Sequence, residues 1–140
     1  MMHRELSVVL ITMGALAFIG LVVFVGGDRQ TLVPPPEASA EGFVRQVVLE
    51  RYPQTRQYLA SGSAAALSAR HLAAWRDRLE ARSGHITQID PSGVVMDDTR
   101  AVAHVHVRGT RADADVSVPM RRERGLWKVD ALPEIQEQPE

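Results

Sequence analysis

The stretch AHVHVRGTRADADVSV, Ala103 to Val118, decides the fold. Apolar and polar residues alternate on both sides of Gly109-Thr110-Arg111-Ala112, which is the period of a strand rather than a helix. A four-residue turn there closes an antiparallel hairpin. That turn fixes the register: Arg108 opposes Asp113, His106 opposes Asp115, and His104 opposes Ser117 on one face. The other face pairs Val107 with Ala114, Val105 with Val116 and Ala103 with Val118, an apolar surface that needs cover.

The flanking sequence extends the hairpin into a sheet. His85 to Ile89 reads as a further strand, and Val94 to Met96 extends it or begins the next, before the turn-like Asp97-Asp98-Thr99. Ala101 to Arg108, Asp113 to Arg122 and Leu126 to Ala131 follow as consecutive antiparallel strands. Upstream the period changes. Phe43, Val44, Val47 and Val48 recur at helical spacing, followed by Tyr52, and Pro53 ends or kinks that helix. Thr55 to Ala60 fits a short helical turn before the loop Ser61-Gly62-Ser63. In LSARHLAAWRDRLEARSG, Ser68 is an N-cap, Leu72, Trp75 and Leu79 share a face, and Gly84 ends the helix. Helices first and strands after imply an α+β domain over residues 41–132, with helices packed on one face of an antiparallel sheet of about four strands. The acidic tail PEIQEQPE, residues 133–140, reads as frayed.

The N-terminal part is of another kind. After a short tail, residues 1–5, the segment LSVVLITMGALAFIGLVVFV, Leu6 to Val25, carries no charge. As a helix it spans about 30 Å, the thickness of a bilayer's hydrocarbon core. A cleaved secretory signal is the competing reading. The apolar run is longer than the usual signal core, and Ala38-Ser39-Ala40, which resembles a cleavage site, lies too far beyond Val25. A single transmembrane helix is therefore expected, with Leu6, Gly14, Ala17, Phe18, Leu21 and Val25 on the anchor. Arg4 before it favours an N-terminus inside the cytoplasm and a domain on the extracytoplasmic side of the inner membrane. Gly26 to Ala40, with Pro34-Pro35-Pro36, reads as a stiff stalk.

Several chemistries find no support in the composition. The chain has no cysteine, which removes disulfides, iron–sulfur ligation and covalent c-type haem. A net charge of −1 argues against nucleic acid as a partner. The phosphate-loop, dinucleotide and nucleophile-elbow motifs do not occur. The polar cluster His104, His106, Asp113 and Asp115 has three readings. It is the solvated face of the hairpin, held by cross-strand pairs worth roughly 0.2–1 kcal/mol each; or part of a metal site; or a proton-handling or pH-sensing pair, His106 with Asp115. The first is favoured, because no third His or Cys follows at ligand spacing and His71 lies on a helix expected on the other face. Trp75 and Trp127 fall at core positions. Arg70, Arg76, Arg78 and Arg82 make the second helix basic, and Arg121-Arg122-Glu123-Arg124 reads as a charged hairpin tip open to lipid or a partner. No catalytic, cofactor-binding or metal-ligating set is assigned.

YLASG, LSARHLAAWRDRLEARSGHITQI, the alternating strands and RRERGLWKVDAL together resemble the nuclear transport factor 2-like superfamily, over about residues 41–132. The resemblance implies a cone in which helices are cradled by a strongly curved antiparallel sheet. Enzymes of that superfamily place acidic, His or Tyr residues inside the cone. Here the inward positions are Ala103, Val105, Val107, Val116, Val118, Trp127 and Val129. The expected function is accordingly a non-catalytic, single-pass accessory or assembly subunit of a larger membrane complex. Bacterial respiratory and photosynthetic electron-transfer complexes are the expected setting, with other membrane subunits and the bilayer as partners. The alternatives are a membrane-anchored module holding a small apolar ligand in the cone, and an isomerase- or dehydratase-like enzyme.

Overall fold

The computed structural model describes residues 33–136. Among them no helix is long and apolar enough to cross a membrane, and the expected anchor, Leu6 to Val25, lies outside them.

Helix α1 spans Pro36–Val48. Proline is tolerated at the start of a helix, where its missing N–H would be unpaired anyway, and Glu37 in the first turn complements the helix dipole. The helix therefore begins at Pro36, inside the stretch expected to be stalk, rather than near Glu41. Pro36, Ser39, Ala40, Phe43, Val44 and Val47 form its buried stripe. Arg76 donates from Nε to Val48 O at 2.9 Å, closing the C-terminal end. A single turn, α2 (Tyr52–Thr55), and a 3₁₀ turn over Arg56–Tyr58 follow. Tyr58 lies so close to Gly42 that a β-carbon there would sit 2.6 Å from the phenol oxygen. Helix α2 leads by way of residues 59–68 to α3, Ala69–Ser83, which buries Leu72, Trp75, Leu79 and Ser83 and stops at Gly84, with φ at +78°.

Five strands follow: β1 (Ile86–Met96), β2 (Arg100–Gly109), β3 (Asp113–Glu123), β4 (Leu126–Val129) and β5 (Glu134–Gln136). They form one antiparallel sheet in the order β1-β2-β3-β4, with β5 pairing a second part of β3. The β2–β3 register is the one read from the alternation: Arg108 opposes Asp113, His106 opposes Asp115, and Val105 opposes Val116. Ile86 to Met96 is one strand with two irregularities, around Thr87 and Ser92, rather than two segments. Pro91 is accommodated because β1 is an edge strand. The tail also differs from expectation. Residues 134–136 form β5 because the buried Trp75 donates from Nε1 to Pro133 O at 2.8 Å and Ile135 packs on the core.

The inward residues of β2 and β3, Ala103, Val105, Val107, Ala114, Val116 and Val118, are completely buried against Phe43, Val44, Val47, Trp75 and Leu79. This is one close-packed core between helices and sheet.

Candidate functional site

The four polar residues singled out by the alternation share the outer face of the sheet, opposite the apolar face of β2 and β3, and three of them meet there. His106 accepts or donates at both ring nitrogens: Nδ1 is 2.8 Å from Asp115 Oδ1, and Nε2 is 3.1 Å from Asp113 Oδ2. The bond with Asp115 raises its pKa above the ordinary 6.5, burial opposes that, and the bond with Asp113 adds to it. His104 does not join this cluster. Its Nδ1 lies 3.2 Å from Ser117 Oγ, which also accepts from Gln136 Nε2 at 2.9 Å. Asp90 of β1 sits opposite His106 and accepts from Gln88 Nε2 at 2.6 Å. Among the described residues no three His, Asp or Glu side chains converge as a metal site. His71 belongs to α3, where its Nδ1 faces Ser68 Oγ at 2.7 Å, so the N-cap serine turns to its helix neighbour rather than to the backbone.

Most of the expected charged tip is engaged within the domain. Arg121 donates from Nη2 to Ser61 O at 2.7 Å and to Glu123 Oε2 at 2.9 Å. Glu123 accepts from Ser61 N at 3.0 Å, which holds its carboxyl below the ordinary range, with the Ser61 hydroxyl and Arg121 adding to the effect. Arg122 stacks 5.8 Å from the Trp127 ring centre. Ser63 Oγ donates to Asp130 O at 2.9 Å, Lys128 reaches Gln57 O at 2.5 Å, and Ala60 N bonds to Val129 O at 2.9 Å. Residues 57–63 are thereby fastened along the outer edge of β4. The sequence flagged Ser61-Gly62-Ser63 only as a loop. Nothing local to either segment shows that it meets a charge cluster 62 residues away.

The space between the helices and the sheet, where the expected cone would lie, is filled. Trp75, Phe43, Leu67, Leu72 and Leu79 are the largest of its fully buried side chains, and the only buried polar residues among those described are Ser39, Thr55, Ser63, Ser83 and Ser117. A groove of about 720 Å³ lies elsewhere, between α2 and the start of α3, lined by Tyr52, Arg56, Leu59, Leu67 and Ser68 among others. Three apolar side chains near the β1–β2 turn are exposed: Val95 at 68%, Met96 at 57% and Val102 at 38%. Val95 and Val102 are cross-strand partners, and Pro119 continues their row on β3. Sequence reasoning missed this patch, since the alternation of β1 breaks at its two irregularities.

No protein-family model matches the sequence, and no curated protein matches it. Among solved structures the chain is similar to a crystal structure, at 2.00 Å, of a Campylobacter jejuni protein provisionally described as an NTF2-like transpeptidase. The two are 14% identical and share a TM-score of 0.57, over 71% of this chain and 100% of that one. At that identity the likeness shows the fold, an NTF2-like α+β arrangement.

Proposed function

We propose that this chain is a non-catalytic accessory or assembly subunit of a membrane protein complex. In this reading residues 6–25 anchor it in the inner membrane, and the NTF2-like domain works by contact on the extracytoplasmic side, in the setting of an electron-transfer complex. One observation carries the proposal: the cone, where the fold would hold a ligand or an acid–base pair, is packed with Phe43, Leu72, Trp75, Leu79 and the valines of β2 and β3. Function then falls to the surface, where Val95, Met96 and Val102 offer apolar contact area with a charged surround of Asp97, Arg100 and Asp130.

A transpeptidase activity, the description given to the Campylobacter jejuni structure, needs an activated nucleophile. Two serine–histidine contacts occur, Ser68 with His71 and Ser117 with His104. Ser68 lies at the groove between α2 and α3, but among the described residues no carboxylate or other third group is seen on either histidine, and Ser117 is already engaged by Gln136. The groove of about 720 Å³ favours a second reading, a small-ligand module that uses the helical end of the domain instead of the cone.

The test is affinity capture of the full chain from membranes solubilised in mild detergent, followed by native mass analysis. Stoichiometric co-purification of a defined set of membrane subunits is expected. Val95→Lys with Val102→Glu should abolish it while leaving the melting temperature near wild type, because both positions are exposed and, as cross-strand partners, carry opposite charges that attract rather than repel. A lone monomer or homodimer from wild-type membranes refutes the proposal.

A further inference from the structure

His106 has a carboxylate oxygen at each ring nitrogen, Asp115 Oδ1 at 2.8 Å and Asp113 Oδ2 at 3.1 Å. A neutral imidazole has one N–H and one lone pair. It satisfies one of these neighbours and sets its lone pair against the oxygen lone pairs of the other. Only the imidazolium donates to both. The remaining groups that face the ring are few. Asp90 opposes it from β1, His104 and Arg108 flank it on β2, and β5 presents the neutral Gln136 opposite Asp115. The helices cover the apolar face of the sheet, on the other side.

The cluster adjoins the turn that meets the end of α3. Asp113 opens β3 directly after the turn Gly109 to Ala112. That turn caps α3: Arg111 N and Ala112 N donate to Ser83 O at 2.8 and 3.3 Å, Thr110 N donates to His85 O at 2.9 Å, and Arg111 Nη1 reaches Ala81 O at 2.5 Å. We propose that His106 is a pH-operated fastener: as an imidazolium it ties the turn end of the β2–β3 hairpin through two aspartates, and its deprotonation releases Asp113 and loosens the turn that caps α3. Asp113 is the partner released, because its contact is longer and its side chain more exposed, 44% against 38% for Asp115.

The direction follows from linkage. The folded-state pKa lies above 6.5, so the stabilisation is complete below that value and is lost as pH rises through the raised pKa. The fastener is closed on the acid side and opens on the alkaline side. This inference stands whether or not the domain docks on membrane subunits, since it concerns contacts within the domain.

The test uses the full chain in detergent micelles. Ring nitrogen NMR follows His106, and hydrogen exchange corrected for intrinsic pH dependence follows residues 109–112, between about pH 5.5 and 8.5. His106 is expected to titrate above 6.5 and to keep its proton on Nδ1, towards Asp115, once neutral. Protection of the turn should fall through the same midpoint. Asp113→Asn should lower that midpoint, and His106→Gln should remove the pH dependence of the turn. A midpoint at or below 6.5, or an unchanged pH dependence in His106→Gln, overturns the proposal. If His106→Gln does not fold, the wild-type midpoint and its shift in Asp113→Asn decide the matter alone.

Discussion

Replacing Gly109 with alanine tests the seam between sheet and helix with a single methyl group. A β-carbon at Gly109 would lie 2.0 Å from Ser83 O, 2.6 Å from Ser83 Cβ and 2.7 Å from Ser83 C. Ser83 is completely buried at the end of α3, so it cannot step aside. The turn must lift instead, by about 1 Å or more to reach ordinary contact. That movement breaks the bonds from Arg111 N and Ala112 N to Ser83 O and strains the pair between Thr110 and His85. Two lost hydrogen bonds at about 1 kcal/mol each, with a buried carbonyl left short of donors, give a loss of about 2–4 kcal/mol. For a domain of this size 1 kcal/mol moves the melting temperature by roughly 4–8 °C, so a fall of about 10–30 °C is expected. Thermal unfolding followed by circular dichroism on the full chain measures it. Gly62→Ala serves as the control, since that glycine has nothing within 4 Å and pays only for its positive φ of 85°. A Gly109→Ala protein melting within about 2 °C of wild type would show that the turn is not seated on Ser83.

Two further outcomes follow from contacts far apart in sequence. Trp75→Phe keeps an aromatic ring in the core but removes the donor to the buried Pro133 O and leaves a small void where the indole's second ring packs. It should cost about 1–3 kcal/mol and raise hydrogen exchange at residues 134–136 more than in the β2–β3 hairpin. Equal protection of β5 in both proteins would refute the anchoring role of the indole. Glu123 has a depressed folded pKa, so its grip on Ser61 is present above the ordinary carboxylate value of 4.5 and is lost only as pH falls through the lower, folded one. Protection of the Ser61 amide should persist at pH 4.5, whereas Glu123→Ala should remove it at neutral pH; loss of protection already above pH 4.5 in wild type would contradict this.

The hairpin was legible because a strand's period of two leaves little freedom. Once Gly109 to Ala112 is the turn, every pair from Arg108–Asp113 to Ala103–Val118 is forced, and all of them are present. The stripes of α1 and α3 were legible for the same reason at a different period. What escaped was decided by contacts distant along the chain. PEIQEQPE is too polar to read as a strand, yet one carbonyl under Trp75 and the free part of β3 make residues 134–136 its partner. Pro34-Pro35-Pro36 reads as an extended stalk, but the last proline can begin a helix and is buried when it does. The run RRER reads as a free cationic tip, because the amide of Ser61 and the ring of Trp127 that hold its members are invisible to local charge patterning. In the candidate site, the facing pairs were readable but the doubly bridged ring was not. Register places Asp115 opposite His106, while the reach of Asp113 to Nε2 is diagonal and depends on rotamers.

The same alternation explains why titratable chemistry sits on the outside of this domain. Strands β2 and β3 carry their histidines and aspartates at alternate positions, and Val105, Val107, Val116 and Val118 occupy the positions between. Moving His106 inward would require a one-residue slip. That slip would carry the valines outward with it and expose most of the core against which Phe43, Trp75 and Leu79 pack. Each valine moved into water forfeits roughly 1.5–3 kcal/mol, and four such losses, about 6–12 kcal/mol, are comparable with a typical domain's total stability of about 5–15 kcal/mol. An acid–base pair inside this cone therefore cannot arise by shifting the existing residues. It would have to be made by replacing a buried valine, at the further cost of placing a polar group among Trp75, Leu72 and Val44 with no partner to receive it. The apolar interior and the polar exterior of the hairpin are thus set together by one register.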